Sequence, residues 1–149
     1  IVLLTLLLTI AVADARSYVI PDELSLGGLA AGLLLSLLPG PLGPLQAALG
    51  ALVGGGVLWL VAVVGSWALK REAMGGGDIK MMAMVGAFLG WPGALLTIFL
   101  GALAGTVVFV PLSWRSGRLV PFGLFLALGA AITFYAGEPL LAWYLGYFR

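Results

Sequence analysis

The chain has 149 residues, of which 62% are hydrophobic and 9% are charged, and its net charge is +1. A soluble domain carries about 25% charged residues, so this composition excludes a water-facing globular domain and predicts an all-helical bundle in a membrane. The small net charge without a basic run indicates no nucleic-acid partner, and the absence of Cys and His leaves catalysis to Asp, Glu, Lys, Tyr or Ser.

Six helices are predicted in chain order, forming one membrane-embedded domain over residues 1–149, because a span needs about 20 apolar residues. Proline and glycine clusters separate the helices. Residues 1–13 also fit a signal peptide, but no basic segment and no clean cleavage site flank them, so we favour a helix. The predicted helices cover residues 1–13, 24–38, 45–69, 78–89, 94–114 and 121–135.

Helix four is short, and it is bounded by the breaking sequence Gly90-Trp91-Pro92-Gly93. Its length indicates that it enters the bilayer only in part. The sequence Gly137-Glu138-Pro139 interrupts helix six before a last aromatic segment. The fold expected is therefore a polytopic bundle of about six transmembrane helices.

Five of the seven basic residues lie in alternate connections between the helices. They fall in the first, third and fifth connections, whereas the second and fourth carry no charge: Arg16, Lys70, Arg71, Arg115 and Arg118. Positively charged loops remain in the cytoplasm, so we expect the odd connections to be cytoplasmic. The acids Asp14 and Asp78 lie on that same side.

Asp14, at the end of helix one, and Asp78, at the start of helix four, are the candidate catalytic residues. Carboxylates at membrane depth are costly and usually functional. Two facing carboxylates share one proton, so one acts as general base on a water while the other acts as general acid toward a carbonyl. In a chain without His or Cys, this pair is the hydrolytic apparatus that the composition favours.

Each aspartate also has an ordinary structural explanation. Asp14 alone is equally well explained as a helix-end carboxylate paired with Arg16, and Asp78 alone is better explained as a helix N-cap. The preceding glycines, residues 75–77, change this balance, because a segment without side chains lets a substrate backbone approach closely. Taken alone, those glycines also fit a flexible loop.

Three segments carry a specific combination of motifs. They are residues 14–26 (DARSYVIPDELSL), 72–91 (EAMGGGDIKMMAMVGAFLGW) and 121–130 (PFGLFLALGA). In this order and with this spacing of aspartates, the chain resembles the type IV prepilin peptidases, which are membrane aspartyl peptidases of the GxGD type. The resemblance implies catalytic roles for Asp14 and Asp78.

The same resemblance assigns supporting roles to further residues. Gly75 and Gly77 match the motif glycines. Asp22 matches a second recurring acid, supporting or facing the substrate, although an N-cap of helix two explains it equally well. Glu72 and Lys80 match family positions, and Lys80 either pairs with a carboxylate, meets the substrate or snorkels to the membrane surface. The segment Pro121-Phe122-Gly123 is interpreted as a packing turn.

The function implied is an endopeptidase that removes a short basic leader from pilin-like precursors at the cytoplasmic face of a prokaryotic inner membrane. Acids such as Asp22, Glu23 and Glu72 would attract the leader, and the precursor's hydrophobic helix would lie against the bundle. The alternatives are a small transporter that uses the carboxylates for cations or protons, and a non-catalytic assembly protein.

An aspartyl mechanism needs no metal or cofactor. Many family members carry an amino-terminal region linked to S-adenosylmethionine-dependent N-methylation, often with a CxxC pair. This sequence has no cysteine, and the resemblance implies that it begins at the peptidase core, so either that region was lost or this is a short family member. S-adenosylmethionine is therefore expected only if a methyltransferase function is retained.

Overall fold

The computed structural model of the chain describes residues 2–17, 19–40, 42–70, 74–116 and 122–147. These residues form helices and their connections, without a strand, so the all-helical prediction is confirmed. Proline marks two of the helix starts: Pro21 directly precedes α2, and Pro44 opens α3, where its fixed φ suits a first turn. The helices are α1 (Val2–Ser17), α2 (Asp22–Leu35), α3 (Pro44–Leu69), α4 (Gly76–Ser116) and α5 (Phe122–Tyr147).

The long element α4 is broken at Gly90, which has φ 74° and ψ 177°. A side chain would strain this positive φ, so glycine permits the break. Residues 76–78 nevertheless line one cavity together with Gly105, Thr106, Phe109 and Val110. A straight helix rising 1.5 Å per residue would hold Asp78 and Thr106 about 40 Å apart. The chain therefore reverses at Gly90, and residues 91–116 return toward the start of the element.

The predicted break between helices four and five is thus confirmed, although it is narrower than expected. Trp91, Pro92 and Gly93 are already helical. Pro92 is tolerated there because the first turn after Gly90 has no hydrogen-bond partners for its backbone N–H groups.

The predicted interruption at residues 137–139 is wrong, because α5 runs without a break through Pro139 to Tyr147. Proline deprives the helix of one backbone hydrogen bond but does not have to end it, and membrane helices accommodate it. The aromatic residues after Pro139 therefore continue α5 and do not form a separate segment.

Within the part of the chain that the structure describes, three helices are long and apolar enough to cross a membrane, namely Pro44–Ala68, Gly76–Leu112 and Phe122–Tyr147. With 16 and 14 residues, α1 and α2 are shorter than the about 20 residues of a full span. The chain is therefore an integral membrane helical protein, whereas the predicted count of six spanning helices is not confirmed.

The core lies where α4 packs between α3 and α5. Its fully buried centre contains Met81, Met82 and Leu126, and methionine fills irregular gaps between helices well. Small residues bring α3 and α4 together, since a Cβ on Gly50 would overlap the backbone carbonyl of Gly86. This seam holds the middle of the first part of α4 against α3.

Candidate active site

Three helix ends meet at one end of the bundle. Asp14 lies in the last turn of α1, Asp78 in the first turn of α4 and Gly123 in the first turn of α5. A Cβ built on Gly123 would lie 2.7 Å from Asp14 Oδ2 and 3.0 Å from Asp78 Oδ1. Those two oxygens are therefore no farther apart than the sum of these distances, and the charge of one carboxyl acts on the other.

Asp14 is buried, with 5% of its surface exposed. Its Oδ2 accepts a hydrogen bond from the backbone N–H of Leu124 at 3.1 Å. That N–H belongs to the first turn of α5, whose donors have no partner within the helix. Burial raises the pKa of the Asp14 carboxyl, and this hydrogen bond acts in the opposite direction. Among the described residues Asp14 forms no ion pair with Arg16, so that explanation of Asp14 is wrong.

Asp78 is the third residue of α4, which begins at Gly76, so the N-cap explanation of Asp78 is also wrong. Its backbone N–H donates to the carbonyl of Gly75 at 3.3 Å. The carboxyl group is only partly buried and faces the cavity that Asp14 also lines. The first turn of α4 thus presents this carboxyl to Asp14 and to the open space beside it.

The motif glycines differ in what surrounds them. Nothing lies within 4 Å of a Cβ built on Gly75 or Gly76, and both line the cavity. A Cβ on Gly77 would instead lie 2.9 Å from Cβ of Ile20. Room for a substrate backbone therefore exists beside Gly75 and Gly76, whereas the space beside Gly77 is filled by the protein itself.

The cavity beside the two aspartates has a volume of about 760 Å³. One side of it is polar and is formed by the acids and the glycine segment. The other side is apolar and comes from the second part of α4 and the start of α5: Ala102, Gly105, Phe109, Val110, Phe122 and Phe125. The site thus places two carboxylates between a polar entrance and an apolar wall.

Asp22 and Lys80 form an ion pair at the edge of this cavity. Lys80 Nζ lies 2.7 Å from Asp22 Oδ2, and both side chains remain partly exposed. Asp22 is the first helical residue of α2, and Pro21 is the N-cap, so the N-cap explanation of Asp22 is wrong. Of the alternatives for Lys80, the structure shows pairing with a carboxylate. Glu72 lies outside the described residues.

Residues 121–123 are interpreted from the sequence as a packing turn, and this interpretation does not predict that Gly123 lies next to both aspartates. A Cβ on Gly123 would meet both aspartates, and the neighbouring Leu124 N–H binds one of them. A glycine following an aromatic residue in an apolar segment gives no sequence signal for such a contact. Among the described residues, no three acidic side chains gather in a group that could hold a metal ion.

The long apolar helices define an integral membrane protein in which two carboxyl groups meet at one end. A sequence model of the type IV leader peptidase family matches residues 1–110, and the chain belongs to this family. The resemblance inferred from the sequence is therefore confirmed.

Relatives agree with this assignment over most of the chain. The prepilin leader peptidase/N-methyltransferase of Aeromonas salmonicida is 35% identical, over 93% of this chain and 49% of that protein. The proteins of the same name from Stutzerimonas stutzeri and Escherichia coli K12 are 37% and 38% identical, over 96% and 85% of this chain and 51% and 57% of theirs. The chain spans about half the length of these curated relatives. No solved structure matches the chain significantly.

Proposed function

We propose that the chain is a membrane aspartyl endopeptidase that removes the short basic leader from pilin-like precursors. The observation that carries this proposal is the convergence of Asp14 and Asp78 on Gly123 at the wall of the cavity. Family membership supports the same chemistry, and the relatives are named as prepilin leader peptidases. The peptidase unit proposed is a single domain that covers residues 1–149.

The two carboxyl groups share one proton, because two anions at this separation repel each other. The ionised group takes a proton from a water molecule as its oxygen attacks the scissile carbonyl carbon, while the protonated group donates its proton to the carbonyl oxygen. The tetrahedral intermediate then collapses. The C–N bond breaks as the amine takes a proton from the dyad. One hydroxyl group of the intermediate gives its proton back to the dyad as the carboxyl product forms, and this restores the shared proton.

The walls of the cavity fit the two halves of such a precursor. Asp22, exposed at the edge, would attract the positive leader, a role that the acids of the same end would share. The apolar wall, with Phe109, Phe122 and Phe125, would receive the hydrophobic segment that follows the scissile bond. The peptide backbone would pass beside Gly75 and Gly76, because no atom lies within 4 Å of the space that their side chains would fill.

We place this end of the bundle at the cytoplasmic face of a prokaryotic inner membrane. The support is the basic residues of the same connections, Arg16 and Lys70 among them, which favour the cytoplasmic side. In that orientation water reaches the dyad from the membrane surface.

The proposal is tested by incubating the purified chain in detergent with a pilin-like precursor and following the product by mass spectrometry. We expect cleavage by the wild-type chain and a loss of about 10²–10⁴-fold in Asp14→Asn and in Asp78→Asn, the range for removing a general acid or base. Glu138→Gln is the matched control, because Glu138 is exposed on α5 outside the cavity. It should cleave like the wild type.

Two results would contradict the proposal. Wild-type rates in either Asn variant would remove the dyad from the mechanism. A folded wild-type chain that cleaves no precursor would favour cation or proton binding by the same carboxylates. A parallel incubation with S-adenosylmethionine asks separately whether the new amino terminus gains a methyl group, since the proposal covers cleavage alone.

A further inference from the structure

The first turn of α5 is where the two carboxylates are closest to a third structural element. Gly123 is buried, and the space that its side chain would fill is occupied on three sides. Asp14 Oδ2 lies at 2.7 Å, Asp78 Oδ1 at 3.0 Å and Ile20 Cδ1 at 3.0 Å from a Cβ built there. Separations this short are below ordinary van der Waals contact, so even a methyl group would require these atoms to shift.

Asp14 and Ile20 have little room to yield. Asp14 is held by the hydrogen bond from Leu124 at 3.1 Å, one residue after Gly123. Ile20 is 6% exposed and is itself packed against Gly77 at 2.9 Å from the Cβ position of that glycine. The Cβ position of Gly123 thus faces a hydrogen-bonded Asp14 and a buried Ile20, and neither can move away freely.

On the basis of the proposed peptidase function, we infer that Gly123 is a positioning residue for the dyad. Its missing side chain allows the carboxyl groups of Asp14 and Asp78 to meet over the first turn of α5 at the separation that shared protonation requires. Gly123 takes no part in proton transfer itself. It sets the distance between the two groups that do.

The kinetic arm of the test uses Gly123→Ala. The added methyl group displaces the carboxyl groups of Asp14 and Asp78 from their positions relative to each other. A displacement of about 1 Å lowers the rate on the order of 100-fold. We expect kcat to fall by that order while KM for the precursor stays within twofold, because the polar entrance and the apolar wall are untouched. A change confined to KM would overturn the inference.

Gly129→Ala is the matched control on the same helix. Its Cβ would lie 2.7 Å from the carbonyl oxygen of Thr97 and 2.9 Å from the backbone N of Gly101, so the steric conflict is similar but involves no carboxylate. This variant should lower the Tm yet leave kcat of the folded protein unchanged. A similar loss of kcat in both variants would show a general packing effect and overturn the inference.

A second substitution at Ile20 tests which neighbour of Gly123 causes the expected loss of kcat. Ile20→Ala in the Gly123→Ala background relieves the contact with Ile20 Cδ1 and leaves both carboxylate contacts, so kcat should not recover. Recovery would mean that Gly123 acts through Ile20 and not through the dyad.

A stability cycle tests the same contact without any activity measurement. Gly123→Ala should lower the Tm of the wild type, and the lowering should be smaller in the Asp14→Ala background, where the nearest oxygen is gone. An equal lowering in both backgrounds would overturn the inference. If the wild type cleaves no precursor, the proposed function fails, but this cycle still decides whether the methyl group meets the carboxylate.

Discussion

The seam between α3 and α4 and the corner where α1, α4 and α5 meet both depend on glycine, but different atoms occupy the space that the missing side chains leave. At the seam, a Cβ on Gly50 or Gly86 would overlap the backbone of the other helix. At the corner, a Cβ on Gly123 would meet carboxylate oxygens. Backbone contacts at the seam contribute to stability, whereas the corner arranges reactive groups. What a glycine contributes in this bundle therefore depends on the atoms that surround its missing side chain.

The largest effect on stability is expected at the seam. Gly86→Ala forces α3 and α4 apart, and overpacking of this kind costs about 1–3 kcal/mol. Thermal unfolding in detergent measures the loss, with cleavage per folded molecule unchanged. Gly56→Ala on α3 is the control, because nothing lies within 4 Å of its Cβ position, and it should be as stable as the wild type. A Gly86→Ala variant as stable as the wild type would contradict the claim that the seam glycines stabilise the fold.

At the corner, substitution of an aspartate is expected to affect cleavage and not to lower stability. Burial raises the pKa of Asp14, so the folded state binds this proton more tightly than the unfolded state. The resulting stabilisation is present below the ordinary value of 3.8 and is lost as the pH rises through the folded-state pKa. At neutral pH, Asp14→Asn should therefore be at least as stable as the wild type although its cleavage rate is expected to fall.

The measurement is the Tm of both proteins in one detergent across the acidic range. The advantage of Asp14→Asn should shrink toward and below pH 3.8, where Asp14 is protonated in both the folded and unfolded states. An Asn variant that is less stable at neutral pH than the wild type would show that the ionised carboxyl supports the fold, as the seam glycines do.

The smallest effect on stability is expected at the edge of the corner. The ion pair of Asp22 and Lys80 is partly exposed, and such pairs contribute about 1 kcal/mol or less. If Asp22 attracts the leader, Lys80→Met should lower KM by releasing the carboxylate, and Asp22→Asn should raise it. Steady-state kinetics with a basic-leader precursor measures both variants. A shift in the same direction in both would indicate that the pair only holds α2 against α4.

Several features of the site could be predicted from the sequence because they follow from residue chemistry. Because acids are scarce in this apolar chain, the two that lie at helix ends, Asp14 and Asp78, could be predicted as candidate catalytic residues. The break near Gly90 could be predicted because glycine and proline follow each other closely there. The motif order indicated the family, which the family comparison confirms.

Other features depend on which surfaces pack together, and the local sequence does not contain that information. The contacts of Gly123 arise from the docking of α5 against α1 and α4. The filling of the space beside Gly77 by Ile20 arises from the path of the first connection. The continuity of α5 through Pro139 is missed by a rule based on proline alone, because proline removes one backbone hydrogen bond without having to end a helix.

The most direct test of the central claim, that Asp14 and Asp78 work as one unit, is a double-mutant cycle on cleavage. Rates are measured for Asp14→Asn, Asp78→Asn and the double variant, each normalised to folded protein. Groups that share one proton are lost together, so we expect the double variant to lose no more activity than the more damaged single variant. Losses that multiply would show two independent carboxylates and contradict the account.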